Sequence, residues 1–133
     1  MAAQAAGVSQ AALEVAVEYA GEREQFGRPI GEFQAIRHRI AEMATSVEAA
    51  RSLAYRAGAA IEADADRATR LASAAKLFAS ERAVEVADEA IQVFGGVGYV
   101  TDHPVERYYR DARITKTYEG TSEIQKNIVA ALL

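Results

Sequence analysis

The sequence of 133 residues predicts an all-α fold, an antiparallel four-helix bundle with an additional short helix. Three observations carry this prediction. Long segments repeat apolar residues at steps of three and four. Clusters of Gly, Pro and Asp separate those segments. No stretch alternates polar and apolar residues with the period of two that a half-buried strand requires.

Taken in order, residues 3–22 form the first helix, with Leu13, Val17 and Ala20 on one stripe and Ala12, Ala16 and Tyr19 on its neighbour. Gly27, Pro29 and Gly31 then break the chain. Residues 34–63 form a long helix whose seam is Ile36, Ile40, Met43, Val47, Ala50 and Ala54. Residues 64–66 are a short hinge, with Asp66 as the expected N-cap of the next helix. That helix spans 67–94, with Leu77, Val84, Ala87, Ile91 and Phe94 on its seam, Ser80 filling one step and Phe78 facing a second neighbour. The glycines of Gly95-Gly96-Val97-Gly98 suit a left-handed helix end. Pro104 opens a short helix at its first position. A last helix starts near residue 121, with Ile124, Ile128 and Ala131 on one stripe.

Composition excludes several functions. Half of the residues are apolar, enough for one core in a single domain. The net charge is −4 with no basic cluster, which argues against nucleic acid. There is no Cys, hence no disulfide and no thiolate chemistry. His38 and His103 lack metal-ligand spacing, so no metal site is expected. The acidic run Glu81, Glu85, Asp88 and Glu89 reads as a solvated face. Glu14 and Glu18 interrupt the apolar N-terminal run, so it is no membrane span. No Lys or Arg precedes Arg23, so no targeting segment is recognised and a cytoplasmic location is the default.

One stretch carries a candidate for chemistry: Tyr118-Glu119-Gly120-Thr121-Ser122-Glu123-Ile124-Gln125. Glu119 stands where a glycine hands the chain to a helix. Thr121 or Ser122 can cap that helix, and Ser122 with Gln125 fits a capping box. A carboxylate on such a turn is aimed by rigid structure, which suits a general base; it is equally an ordinary first-turn acid favoured by the helix dipole. Arg23 and Phe26 offer a cationic fork and a flat apolar face, or merely line an interhelical loop.

This octapeptide resembles the C-terminal signature of the acyl-CoA dehydrogenases. Arg23-Glu24-Gln25-Phe26-Gly27, Phe33-Gln34-Ala35-Ile36 and Gln92-Val93-Phe94-Gly95-Gly96-Val97-Gly98-Tyr99 resemble further motifs of that family, in the same order. The resemblance covers essentially the whole chain but only the last third of a typical member. It implies a flavoenzyme that removes an α-proton and a β-hydride from an acyl-CoA thioester, with FAD as cofactor and a separate electron-transfer acceptor.

The resemblance also implies roles. Glu119 matches the base and Gly120 a substrate contact. Thr121 and Glu123 match positions that meet the flavin of the same subunit, although the family often has Gln at the latter. Arg23, Phe26 and, less closely, Gln25 match residues that meet the FAD of a neighbouring subunit. Gln34 lies near that cofactor, and Gln92, Gly95 and Gly96 match its adenosine-pyrophosphate contacts. The chain 1–133 then corresponds to the family's C-terminal helical domain, with the N-terminal helical and middle β domains absent. By itself it is expected to bind FAD weakly or not at all, to be inactive, and to form a homo-oligomer through exposed apolar surface. The rival reading is a non-catalytic helical assembly module derived from the same family.

Overall fold

The computed structural model describes residues 1–133. The helices are α1 (Ala2–Glu22), α2 (Gln34–Glu62), α3 (Ala68–Phe94), α4 (Val105–Ile114) and α5 (Ser122–Ala131). The all-α antiparallel bundle read from the sequence is present. α3 is its centre: α1 and α2 pack on it and on each other, α4 lies against α3 and α1, and α5 lies against α3. No helix is long and apolar enough to cross a membrane.

The expected seams are only partly the observed ones. α1 buries Ala5, Ser9, Ala12, Ala16 and Ala20, while Val17 is 47% exposed. α3 presents Ala79, Ala83, Ala87 and Ala90, all fully buried. Small side chains let helix axes approach closely, so the contact is set by alanines and not by the leucine stripe. Larger groups fill the other side: Met43, Val47, Val86, Val93, Phe94 and Val105 form one core with Ala12, Ala16, Ala20 and Ala90. Leu77 and Val84, expected on the α3 seam, are only half-buried, as are Ile36 and Ile40 on α2. Ile124 and Ala131 of α5 are exposed, and its inner face carries Ser122 and Gln125. An alanine seam has no room for extra methylenes. Ala83→Leu is therefore expected to destabilise the fold by about 1–3 kcal/mol, read as a lowered urea midpoint.

The α2–α3 connection is a Schellman closure. Asp64 takes φ 46°, its N–H donates to the Ile61 carbonyl, and the Ala65 N–H donates to the Ala60 carbonyl. α3 begins after Arg67, which has no side-chain cap, so Asp66 is not the N-cap that the sequence suggested. The closure has already consumed the positions that would have placed it there. Pro104 likewise precedes the first residue of α4. The acidic run on α3 is matched by cations: Arg82 pairs with Glu85 at 2.6 Å, Arg39 of α2 with Glu89, and Lys126 of α5 with Glu81 at 3.8 Å. No three His, Asp or Glu side chains are grouped to hold a metal ion. In α4 the ion pair is Arg110–Glu106 at 2.5 Å, one helical turn apart.

Candidate functional site

The segment after α1 folds as a hairpin that the sequence did not show. β1 (Glu24–Gln25) pairs antiparallel with β2 (Arg28–Pro29), Glu24 opposite Pro29 and Gln25 opposite Arg28. Two-residue strands are too short to display a period of two. The loop residues Phe26 and Gly27 have φ 54° and 80°, the two positive values that a type I′ turn demands. An aromatic residue there is held at an uncommon φ. The Phe26 ring is 91% exposed, meeting Phe33 edge-on at 6.1 Å. Gly31 sits so close to α1 that a Cβ would lie 3.0 Å from the Ala20 carbonyl oxygen.

Behind the hairpin lies a cleft of about 360 Å³, whose lining includes Arg23, Gln25, Ile30, Phe94 and Gly96. Arg23 is exposed and joins no ion pair. Gly95 turns the end of α3 with φ 66°, and a Cβ on Gly95 or Gly96 would meet nothing within 4 Å. Gln92 on the last turn of α3 and Gln34 at the start of α2 are exposed at the same end. His103, in the loop before α4, is half-buried against Phe94 at 5.0 Å, and Phe94 stacks on Tyr19 at 4.1 Å.

Glu119 and Gly120 occupy a turn between α4 and α5, with φ 54° and 91°. The acid is thus off any helix, as the sequence suggested. At φ 91° any side chain at Gly120 would be strained, and its Cβ would fall 2.4 Å from Nε2 of Gln125, which would have to move from its place. Thr121 is the N-cap of α5, its hydroxyl accepting from the Ile124 N–H at 3.4 Å. The Ser122–Gln125 capping box does not form. Ser122 lies inside the helix with its hydroxyl buried and unpartnered. The Gln125 amide turns back and donates to the carbonyls of Glu119 at 3.2 Å and Gly120 at 3.4 Å. The Tyr118 hydroxyl ties the turn to Gln4 of α1 at 2.8 Å. Glu119 and Gln125 line a cleft of about 400 Å³, walled by Ala54, Ala57, Ile61 and Ala75. The Glu119 side chain is exposed, so these residues alone do not shield it from water.

A residue that sequence reasoning missed, Lys76 of α3, lines the same cleft. It is 5% exposed and donates to the Gly120 carbonyl at 2.5 Å. Its signal was a lysine sharing the α3 stripe of Ser73, Ser80, Ala83 and Ala87. Burial lowers the Lys76 pKa, against the attraction of Glu123. The Glu123 carboxyl is lowered by hydrogen bonds from its own backbone N–H and from the Thr121 hydroxyl. The lysine favours losing its proton on folding, so its charged form costs stability below its folded pKa. That cost is relieved as pH rises from the lowered value towards the ordinary 10.5. Stability is expected to rise with pH across that alkaline window, and Lys76→Met to remove that component, both read by urea unfolding. The Glu123 contribution also makes stability rise with pH, but in the acid range: it is present above the ordinary carboxyl value and lost as pH falls through its lowered value.

The structure gathers Arg23, Gln25, Phe26, Gln34, Gln92, Gly95 and Gly96 at one end of the bundle. It places Glu119, Gly120, Thr121 and Glu123 towards the other. Lys76 and Phe94 mark the two groups on α3, eighteen positions apart, about 27 Å along the axis at the helical rise. One chain does not bring them together.

The family profile described as acyl-CoA dehydrogenase, C-terminal domain, matches residues 1–133. An acyl-CoA dehydrogenase of Bacillus subtilis is 51% identical over the whole chain, which spans 35% of that protein. A 3-(aryl)acrylate reductase of Clostridium sporogenes is 46% identical over the whole chain, again 35% of that protein. The butyryl-CoA dehydrogenase structure of Megasphaera elsdenii superposes with a TM-score of 0.94 at 45% identity, over 98% of this chain and 34% of that one. The chain therefore spans about a third of the length of these relatives. With a profile matched from end to end and the motif residues on the expected turns, the chain belongs to the acyl-CoA dehydrogenase family and corresponds to its C-terminal domain.

Proposed function

We propose that this chain is the C-terminal domain of an FAD-dependent acyl-CoA dehydrogenase and that Glu119 removes the α-proton of an acyl-CoA thioester. The observation that carries the reading is the left-handed turn at Glu119 and Gly120, which sets one acid at the edge of an apolar cleft. A thioester α-proton is weakly acidic. Its removal needs a carboxylate within hydrogen-bond reach and a site closed to water. Glu119 supplies the carboxylate, and a surrounding wall from the rest of a larger assembly supplies the closure. Gly120 lets the thioester approach the backbone, where a Cβ would obstruct. FAD, when bound, supplies the acceptor for the hydride leaving the β-carbon, so the product is a trans-2-enoyl thioester. The Thr121 hydroxyl and Glu123 carboxylate hold the near side of that cofactor in the same subunit.

The residues of the hairpin end also fit FAD. The free Arg23 guanidinium suits a phosphate, and the bare Phe26 ring suits a planar group. The uncovered backbone of Gly95 and Gly96 admits either, with Gln25, Gln34 and Gln92 as side-chain hydrogen-bonding groups. Because this set lies about 27 Å from the Glu119 turn, it serves a cofactor centred on a neighbouring copy, and the working protein is a homo-oligomer. Electrons then pass to a separate electron-transfer acceptor. The same acid also serves the reverse direction, returning a proton to the α-carbon of an enoyl substrate, in keeping with the reductase among the relatives.

The test is a fusion in which this chain replaces the matching last third of the Bacillus subtilis dehydrogenase. The fusion is expected to hold FAD stoichiometrically and to reduce a dye acceptor when given acyl-CoA. A folded, flavin-loaded fusion that leaves short-, medium- and long-chain acyl-CoA untouched would contradict the reading. The 133-residue chain alone is expected to stay colourless after dialysis from FAD and to show no turnover.

A further inference from the structure

We propose that Lys76 is a positioning residue that pins the turn presenting Glu119, an inference that rests on Glu119 being the base. A lysine that is 5% exposed, in a chain whose other basic side chains sit nearer the surface, is an expensive feature. Its ammonium has no carboxylate within ion-pair distance. It is spent instead on one backbone oxygen, that of Gly120, at 2.5 Å. The peptide that this oxygen terminates begins at the residue after Glu119.

The turn needs such a hold. Glu119 lies at φ 54°, a region a glutamate rarely occupies, and Gly120 follows at 91°. Two consecutive left-handed residues relax to other conformations unless the surroundings fix them. Two buried donors converge here: Lys76 from α3 on the Gly120 carbonyl, and Gln125 from α5 on the carbonyls of both Glu119 and Gly120. Gln125 belongs to the helix that the turn itself starts, so it moves with the turn. Lys76 belongs to the central helix, so it references the backbone of the turn to the buried core, while the Tyr118 hydroxyl on Gln4 makes only an exposed tie to α1. Lys76 and Glu119 line one cleft, yet the lysine acts on the backbone, leaving the carboxylate free to take a proton.

Lys76→Met keeps the stem and removes the donor. Because the chain has no cysteine, Lys76→Cys alkylated with bromoethylamine in denaturant and refolded restores an ammonium at that position alone. Backbone hydrogen exchange reads the anchor in the 133-residue chain. With Lys76→Met the Ser122 N–H, which bonds the Lys116 carbonyl across the turn, is expected to exchange about tenfold faster. Core amides of α2 such as Val47 should stay within about twofold, and the alkylated variant should recover the slow exchange. Unchanged exchange at the turn, or equal acceleration of turn and core, would overturn the anchor. In the fusion with the Bacillus subtilis domains, Lys76→Met is expected to lower kcat by about ten- to a hundredfold with KM and bound FAD nearly unchanged. A loosened turn with an unaltered kcat would overturn the positioning role. A wild-type fusion without turnover would overturn the assignment of Glu119 itself, an outcome that the exchange data keep separate.

Discussion

Glu119→Gln in the fusion is expected to lower dehydrogenation by about a hundred- to ten-thousandfold, the span usual for loss of a general base. The amide keeps the size and the exposed position of the acid but cannot take the α-proton. The substitution leaves both anchored carbonyls in place, because Lys76 and Gln125 bind backbone and not the Glu119 side chain. Stability should therefore change by no more than about 0.5 kcal/mol, as for other exposed positions. Bound flavin should also be unaffected, since the groups proposed to hold it are Thr121, Glu123 and the residues of the hairpin end, and the Glu119 side chain is not among them. Steady-state kinetics with urea unfolding separates the two effects. An equal loss of activity and stability would mean that the acid serves the fold.

Complementation between two inactive copies is the second large effect. If Arg23 of one copy and Glu119 of another complete each site, fusions bearing Arg23→Ala or Glu119→Gln are each expected to be nearly inactive alone. Unfolded together and refolded as a random mixture, half of the dimers pair one of each, and each such dimer holds one intact site. Activity should therefore recover to about a quarter of the wild type in a two-fold assembly. If both groups instead served one site within a single chain, every site in the mixture would keep a lesion and nothing would recover. The separation of about 27 Å within one chain is the reason to expect recovery. Arg23 is exposed and unpaired, so its removal acts on ligand binding and not on folding.

The extent of α2 and α3 was legible because breakers bound them: 34–63 and 67–94 were expected, and Gln34–Glu62 and Ala68–Phe94 are found. The phase of α1 was legible in part: Ala12, Ala16 and Ala20 of the expected stripes are fully buried and Leu13 and Tyr19 pack against the core, but Val17 is not on the buried face. Leucine and valine dominate a reading of apolar period, yet α1 meets α3 through alanines and leaves Val17 outward. Alanine carries almost no hydrophobic weight but permits the closest approach. The hairpin was hidden because two residues per strand give no alternation, and its signal lay in the positive φ that Gly27 permits and Phe26 tolerates. The turn at Glu119 was visible from Gly120 and the capping Thr121. What holds the turn was not. A lysine reads as surface unless the helix around it is known to be buried on nearly every side.

The central claim is that Glu119 takes a proton from carbon, and exchange isolates that step from the redox chemistry. An acyl-CoA whose β-carbon is replaced by sulfur can lose an α-proton but has no β-hydride to give. Incubated in D2O with the flavin-loaded fusion, it is expected to gain α-deuterium catalytically, measured by mass spectrometry. The Glu119→Gln fusion, equally loaded, is expected to show only the background rate. Equal deuterium uptake by the two proteins would contradict the account.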